Sequence, residues 1–152
     1  MKPLTTLQLN KILMNNPVTK KMFVGTFPGC VLPSTKAKEY SFITNTDLHH
    51  QSGEHWNAWI VRGKHIIFFD SFGRDPRDKS FPDSYKNIIE NFDSFEYSKY
   101  QLQDFSSVTC GYFCVHFIYT LSLGLNLKSF LSEYGDNYKI NDISVVEFVK
   151  ML

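Results

Sequence analysis

Four residues along the chain have side chains of the types that nucleophilic catalysis by a thiol requires: His55, Asp70, Gln103 and Cys110. A catalytic thiol needs a base, a group that orients the base, and hydrogen-bond donors for the oxyanion of the substrate. The imidazole, the carboxylate and the amide are candidates for these three functions. Cysteine comes last in this order, whereas in papain it comes early.

The segment that begins at Cys110 and ends at Leu123 predicts a helix that is apolar nearly all round, which is typical of the middle of a domain. Thr109 is a suitable N-cap, and Gly124 is a suitable stop. Cys110 then lies in the first turn, where free N–H groups and the helix dipole favour an anion and ease loss of the thiol proton. The simpler alternative is that Cys110 is a small buried residue, as free cysteines usually are.

Residues 55–61 and 65–70 are predicted to form a hairpin with a two-residue turn at Arg62-Gly63. With that turn, His55 lies directly opposite Asp70, and opposed residues have Cβ atoms about 5 Å apart. The hairpin therefore brings the imidazole and the carboxylate together. Both of its faces are apolar, which predicts a central strand pair with helices above and below.

The other segments supply the remaining layers of the predicted fold. Residues 23–33 contain several glycines and prolines and are predicted to be irregular. Asp142 or Ser144 is the predicted N-cap of the last helix. Further helices are predicted over 5–16, 83–92, 126–134 and 142–152, and strands over 40–45 and 96–102. The prediction is an α+β fold in a single domain over residues 1–152, with a central mixed β-sheet flanked by helices.

Composition narrows the functional classes. The 152 residues are 43% hydrophobic and 16% aromatic, which is typical of one globular domain. A net charge of +1 argues neither for nor against a polyanionic partner such as a nucleic acid, and no segment is long and apolar enough to span a membrane. The start of the chain lacks the apolar core of a signal peptide.

The chain has three cysteines, an odd count without framework spacing, which predicts reduced thiols in an intracellular setting. Cys114 follows Cys110 by one helical turn, with His116 nearby, but this spacing is not that of a zinc site. No metal is therefore predicted. The roles of Cys30 and Cys114 stay open. Arg74 and Asp75, which follow Asp70 closely, are candidates for the lining of a substrate groove, but a plain surface ion pair is the favoured prediction.

Four motifs follow one another along the chain: Gly53-Glu54-His55-Trp56, Phe69-Asp70-Ser71-Phe72-Gly73, the single Gln103, and Cys110-Gly111-Tyr112-Phe113-Cys114. Their residues and order resemble those of the adenovirus proteases (adenains), whose wider clan includes the ubiquitin-like-protein-specific proteases. The resemblance extends over about residues 7–119, including residues 23–33 before the histidine.

The resemblance implies a papain-like or adenain-like core with the nucleophile at the N-terminus of the buried helix. It assigns Cys110 as the nucleophile and His55 as the general base and later the general acid. Asp70 orients His55, at a position where adenains have glutamate and related proteases have aspartate. Gln103 donates to the oxyanion, with the backbone N–H of Cys110 as the second donor.

The resemblance also implies substrates and a setting. Trp56 and Gly111 fit a narrow cleft beside the cysteine, which implies protein substrates with glycine before the scissile bond. The implied function is a cysteine endopeptidase that processes viral structural precursors, in the virion or in the host nucleus or cytoplasm. Two alternatives stay open: a peptidase or isopeptidase for ubiquitin or ubiquitin-like modifiers, and a non-catalytic binding module of the same fold.

The implied cofactors differ from those of adenains. Adenains bind an activating peptide through a disulfide, at a cysteine between the acidic residue and the glutamine. The chain has no cysteine between Asp70 and Gln103, so we expect no activation by that disulfide, although a peptide can still bind without one. Adenains also use DNA as a cofactor, which the net charge of +1 does not favour. The substrate sequence and the oligomeric state stay open.

Overall fold

A five-stranded mixed β-sheet carries helices on both of its faces in the computed structural model, which describes residues 2–29, 32–46 and 55–152. The strands are β1 (Phe23–Pro28), β2 (Glu39–Asn45), β3 (Trp56–Arg62), β4 (His65–Phe69) and β5 (Ser94–Tyr97). The helices are α1 (Thr6–Asn15), α2 (Asp83–Glu90), α3 (Cys110–Ser122), α4 (Leu127–Leu131) and α5 (Tyr138–Lys150). The strands lie in sequence order, with β1–β2 and β4–β5 parallel and the two central pairs antiparallel.

The central hairpin forms as predicted, but its register differs by two residues. Arg62 pairs with His65, so the turn is Gly63-Lys64 rather than Arg62-Gly63. Gly63 has a φ of +62°, a conformation that glycine adopts at little cost. A shift of two residues keeps every side chain on its predicted face, because strand side chains alternate with a period of two. The direct opposition of His55 and Asp70 was therefore wrong, whereas their shared face was right.

Both faces of the sheet are covered, as the apolar pattern of the hairpin predicted. Trp56, Ala58 and Ile60 face a cluster that includes α3, together with residues of α1, α4 and α5. Trp59 and Val61 point the other way, into a smaller cluster with α2. Helix α3 packs against β3 at the centre of the larger cluster, and Gly124 follows its C-terminus with a φ of +92°. The head of α3 is therefore held beside the hairpin.

Two predicted segments differ from the structure. Residues 23–33 were predicted to be irregular, but strand β1 occupies the first six of them and pairs with β2. Gly25 has a φ of +139° where the register shifts between Phe23 and Thr26, so it lies at a β-bulge. This glycine was one reason for predicting an irregular segment. Strand β5 ends at Tyr97, and the chain beyond it is irregular up to α3.

Helix α5 begins at Tyr138, one turn before the predicted start. Asn137 is its N-cap, and the Asn137 side chain accepts a hydrogen bond from the N–H of Ile140. The predicted caps Asp142 and Ser144 were therefore wrong, and Asp142 lies inside the helix with its carboxylate free for another partner. Across the described parts of the chain, no helix is both long and apolar enough to cross a membrane. Cys30 and the Gly53-Glu54 pair of the first motif lie outside the described residues.

Candidate active site

His55 and Asp70 form the first contact of the site. His55 directly precedes β3 and Asp70 directly follows β4, so both lie at the open end of the hairpin. The Nε2 atom of His55 lies 2.5 Å from Oδ1 of Asp70. The imidazole is 18% exposed and the carboxylate is completely buried. This bond fixes the imidazole orientation and leaves Nδ1 as the ring nitrogen for a second partner.

The carboxylate of Asp70 also binds two residues that the sequence did not single out for this role. Asn57, which the observed register places opposite Asp70, donates from Nδ2 to Oδ1 at 2.9 Å. Arg74 donates to Oδ2 from its backbone N–H at 3.1 Å and from Nε at 2.9 Å. Burial alone raises the pKa of Asp70, but the contacts with His55 and Arg74 outweigh it and bring the pKa to about 2. The carboxylate is therefore charged and held from several directions.

The ion pair predicted between Arg74 and Asp75 was wrong. Arg74 pairs with buried Asp70, whereas Asp75 accepts from Arg77 at 2.6 Å. An arginine four residues after the acidic member of the motif was the available signal, since the turn at Gly73 lets the chain fold back there.

Cys110 is the first residue of α3 and is 3% exposed. Its side chain forms a hydrogen bond with His55, which brings the thiol, the imidazole and the carboxylate of Asp70 into one series. Burial opposes the charge on His55, but the bonds to Asp70 and Cys110 outweigh burial and raise the pKa of His55 to about 9. The imidazole is therefore protonated near neutral pH, directly beside the sulfur of Cys110.

Thr109 is at the predicted N-cap position, but its side chain does not cap α3. Its hydroxyl instead donates to Oδ1 of Asp142 on α5 at 2.7 Å. Thr109 therefore provides no side-chain cap for the first N–H groups of α3. N–H groups at a helix start suit a developing negative charge.

Gln103 is 1% exposed and lies between the Asp70 turn and the loop that leads to α3. Its Oε1 accepts from the Ser71 hydroxyl at 2.6 Å, and its Nε2 donates to the carbonyl of Ser107 at 3.0 Å. These two bonds fix which end of the amide is the donor end. One N–H group of Nε2 is used by Ser107, and the sequence prediction assigns the other to the oxyanion.

Replacing Gln103 with alanine is expected to slow turnover about a hundredfold or more, because one oxyanion donor is lost. The fold should persist, at a cost of about 1–2 kcal/mol for the Ser71 hydroxyl left without its acceptor. Steady-state kinetics and urea unfolding measure the two effects. Gln101→Ala is the matched control, since among the described residues its amide is hydrogen-bonded to the carbonyl of Gln103 alone. A normal rate for Gln103→Ala with a slow Gln101→Ala would move the donor role to Gln101.

Trp56 and Gly111, the predicted substrate contacts, are both buried. The indole of Trp56 is completely buried and donates to the carbonyl of Leu4 at 2.9 Å. A Cβ atom on Gly111 would lie 3.1 Å from Cδ1 of Trp56 and 3.2 Å from Cβ of Leu4. Leu4 thus packs beside the residue that follows Cys110, and substrate contact with Trp56 or Gly111 requires Leu4 to move.

Gly73 closes the turn after Asp70. Its N–H donates to the carbonyl of Asp70 at 2.8 Å, and its φ is +77°. A Cβ atom on Gly73 would lie 2.7 Å from the carbonyl carbon of Tyr100, which is backbone and cannot rotate away. The glycine in this motif therefore lets the segment after Asp70 pack against the segment that precedes Gln103.

Gly73→Ala is expected to lower the free energy of unfolding by about 2 kcal/mol or more, because backbone strain and a backbone clash add together. Gly63→Ala is the matched control: its φ is +62°, but no atom lies within 4 Å of the new Cβ. That variant should lose only about 1 kcal/mol. Urea unfolding measures both values, and equal losses would contradict the close packing at Gly73.

Two phenylalanines extend the site outward from His55. Phe72 stacks on the imidazole with ring centroids 5.2 Å apart, and Phe105 stacks on Phe72 at 5.1 Å. Phe105 is 74% exposed, so the outer ring faces solvent. The stack covers one face of the imidazole and restricts its rotation. Sequence reasoning missed Phe105, because nothing in its local pattern separates it from other loop residues.

Cys114 and His116 lie in the core behind the site. Cys114 is completely buried, and burial raises the pKa of its thiol. His116 binds the Tyr134 hydroxyl and lies 3.1 Å from a Glu133 carboxylate that is half exposed. Solvent weakens that ion pair, so burial dominates and lowers the pKa of His116 to about 4. No group of three or more potential metal ligands occurs within the described ranges.

Comparison with known proteins yields two relatives in sequence. The chain is 32% identical over 111 residues to the protease of bovine adenovirus 7, which covers 64% of this chain and 54% of the relative. It is 26% identical over 127 residues to the protease of snake adenovirus serotype 1, which covers 74% of this chain and 63% of the relative. The matched part thus spans less than two thirds of either relative. No protein-family model matches the chain.

A solved structure with a similar fold is the crystal structure of the ASFV pS273R protease. The TM-score is 0.63 at 13% identity, over 94% of this chain and 66% of that chain. This similarity confirms the predicted α+β class with a mixed sheet. Together with the two adenovirus relatives, it confirms the predicted resemblance: the chain resembles adenovirus proteases in sequence and the ASFV pS273R protease in fold.

Proposed function

We propose that this adenain-like chain is a cysteine protease with Cys110 as its nucleophile. The observation that carries the proposal is the hydrogen-bonded series of Cys110, His55 and Asp70 at the head of the buried helix. The base and its orienting carboxylate are held at the end of one hairpin, and the thiol is held at the start of α3. A protonated imidazole between a sulfur and a carboxylate is suited to an ion pair with a thiolate.

In the proposed reaction, the Cys110 thiolate attacks the carbonyl carbon of the scissile peptide bond. The oxyanion accepts hydrogen bonds from Nε2 of Gln103 and from the backbone N–H of Cys110. His55 then donates its proton to the leaving amine as the C–N bond breaks, which leaves a thioester on Cys110. Neutral His55 next takes a proton from a water molecule as the water oxygen attacks the thioester carbonyl. The C–S bond then breaks, which releases the acid product and restores the Cys110 thiolate beside protonated His55.

We further propose that the substrates are proteins with glycine before the scissile bond, and that viral structural precursors are among them. The resemblance to adenains supports this glycine preference; Trp56 and Gly111, which it assigns to the cleft, are covered by Leu4 in the structure, so the proposed cleft requires Leu4 to move. The proposed location is accordingly the virion or the interior of the infected cell. The reaction as written needs no metal, so EDTA should leave the rate unchanged, as should added DNA.

A peptide library tests this function directly. Wild-type protein and Cys110→Ser are incubated with the library, and mass spectrometry maps the cleavage sites. We expect cleavage after glycine by the wild type alone. Cleavage by both proteins would point to a contaminating protease, and no cleavage by either would contradict the proposal. A glycine-ending ubiquitin-like probe that labels Cys110 without any peptide cleavage would favour the modifier peptidase instead.

A further inference from the structure

We propose that Asp142 on α5 is a positioning residue for the loop 102–109, which carries the oxyanion donor and leads to the nucleophile. This inference rests on the proposed protease function. Asp142 was predicted to cap its own helix, but Asn137 performs that task. Aspartate has a low helix propensity, so the helix itself does not explain this residue at position 142. A contact of its carboxylate outside the helix does.

The partner of Asp142 belongs to the loop. The Thr109 hydroxyl donates to Oδ1 of Asp142 at 2.7 Å. The Ser107 hydroxyl lies 3.0 Å from the Thr109 hydroxyl, so Ser107 is linked to Asp142 through Thr109. Burial raises the pKa of Asp142, whereas the hydrogen bond from Thr109 favours its charged form. One side chain on α5 thus holds the end of the loop that leads to Cys110.

The preceding residue, Asn141, holds the start of the same loop. Its side chain is 3% exposed, and its Nδ2 donates to the carbonyl of Leu102 at 3.0 Å. The same amide binds both backbone groups of Gly135, at 3.2 Å through Oδ1 and at 2.7 Å through Nδ2. Two consecutive residues of α5 therefore fix both ends of the loop.

Because α5 fixes the loop, it also fixes the positions of the two predicted oxyanion donors, which the loop carries or leads to. Gln103 donates from Nε2 to the carbonyl of Ser107, whose hydroxyl is hydrogen-bonded to the Thr109 hydroxyl, which in turn donates to Asp142. Thr109 is bonded to Asp142 and is followed directly by Cys110, whose backbone N–H is the other donor. Moving the loop would move both donors relative to the sulfur. Misplacement by about 1 Å can cost on the order of a hundredfold in rate.

The expected result is a loss of turnover without a loss of thiol reactivity. Asp142→Ala should lower kcat about tenfold to a hundredfold with little change in KM, because the loop acts on the oxyanion donors. Alkylation of Cys110 by iodoacetamide uses no oxyanion donor, so its rate should stay within about twofold of wild type. A general loss of structure would reduce both rates. Asp142→Asn keeps one acceptor oxygen for the Thr109 hydroxyl and should recover most of the rate.

Glu147→Ala is the matched control, since Glu147 is exposed on the same helix and pairs only with Lys150 among the described residues. Thr109→Val tests the contact from the loop side, and the double variant with Asp142→Ala should lose less than the sum of the two single losses. The double-mutant cycle measures the coupling between Asp142 and Thr109 even where one of the single variants is destabilised.

Three outcomes separate the inference from the function on which it rests. Wild-type protein that cleaves no peptide would overturn the proposed protease. A wild-type kcat for Asp142→Ala in an otherwise active protein would overturn only the positioning role. Equal losses in turnover and alkylation, with additive effects of Asp142→Ala and Thr109→Val, would assign Asp142 to stability alone and would likewise overturn it.

Discussion

Cys110→Ala is expected to abolish peptide hydrolysis while the fold stays intact. Removing the nucleophile of a catalytic triad lowers kcat on the order of a millionfold, as the serine protease subtilisin shows. The thiol is a small side chain, and alanine fills most of its volume beside His55, so the cost in stability should be about 1 kcal/mol. Hydrolysis of the best library peptide and far-UV circular dichroism measure the two effects.

Cys114→Ala is the control for this substitution. Cys114 lies one turn further along α3, is completely buried, and belongs to the same core cluster. Its loss should reduce stability by about 1 kcal/mol and leave kcat within a few-fold of wild type. Substantial hydrolysis by Cys110→Ala, or a loss of hydrolysis confined to Cys114→Ala, would contradict the assignment of the nucleophile.

Asp70→Ala is expected to lower kcat by a factor on the order of 10³ to 10⁴, because the imidazole loses the group that fixes its orientation and its charge. It should also lower the free energy of unfolding by about 3 kcal/mol, since Arg74 and Asn57 lose a buried partner. In NMR titrations the pKa of His55 should fall from about 9, because burial then opposes its charge without the carboxylate.

The sign of the pH dependence follows from the pKa of Asp70, which lies at about 2 in the folded chain against an ordinary value of 3.8. A depressed pKa contributes stability above the ordinary value, and this contribution is lost as the pH falls from 3.8 through 2. The Asp70→Ala variant should lack that part of the acid sensitivity. Asp75→Asn, which removes the charge from the surface ion pair with Arg77, should change stability by less than about 0.5 kcal/mol. Identical pH dependence of the free energy of unfolding in wild type and Asp70→Ala would contradict the stabilising role of the charged carboxylate.

The sequence predicted the part of the site that depends on motifs and periodicity. The apolar run after Cys110 predicted the central helix, and the turn at Gly63 predicted the hairpin. Its two apolar faces predicted the layers around it. The hairpin register was off by two residues because Arg62-Gly63 and Gly63-Lys64 are both plausible two-residue turns. In the observed register Asn57, and not His55, lies directly opposite Asp70.

Two of the unpredicted contacts join residues that are distant in the sequence: Leu4 covers Trp56 from the N-terminal segment, and Asp142 reaches the loop from α5. Neither contact has a local pattern, because each depends on how separate elements pack. The contact of Arg74 with Asp70 is local, four residues apart, and depends on the turn at Gly73. The cap of α5 shows the same limit: Asn137 and Asp142 are both suitable caps by type, and packing decides between them.

The central claim is that His55 activates the sulfur of Cys110, and site-resolved alkylation tests it most directly. Iodoacetamide labelling of intact protein is followed by mass spectrometry between pH 5 and pH 9, for wild type and for His55→Ala, with completely buried Cys114 as the internal reference. We expect rapid labelling of Cys110 near neutral pH in the wild type, a drop of at least about tenfold in His55→Ala, and little labelling of Cys114. Equal, slow labelling of Cys110 in both proteins would contradict the account.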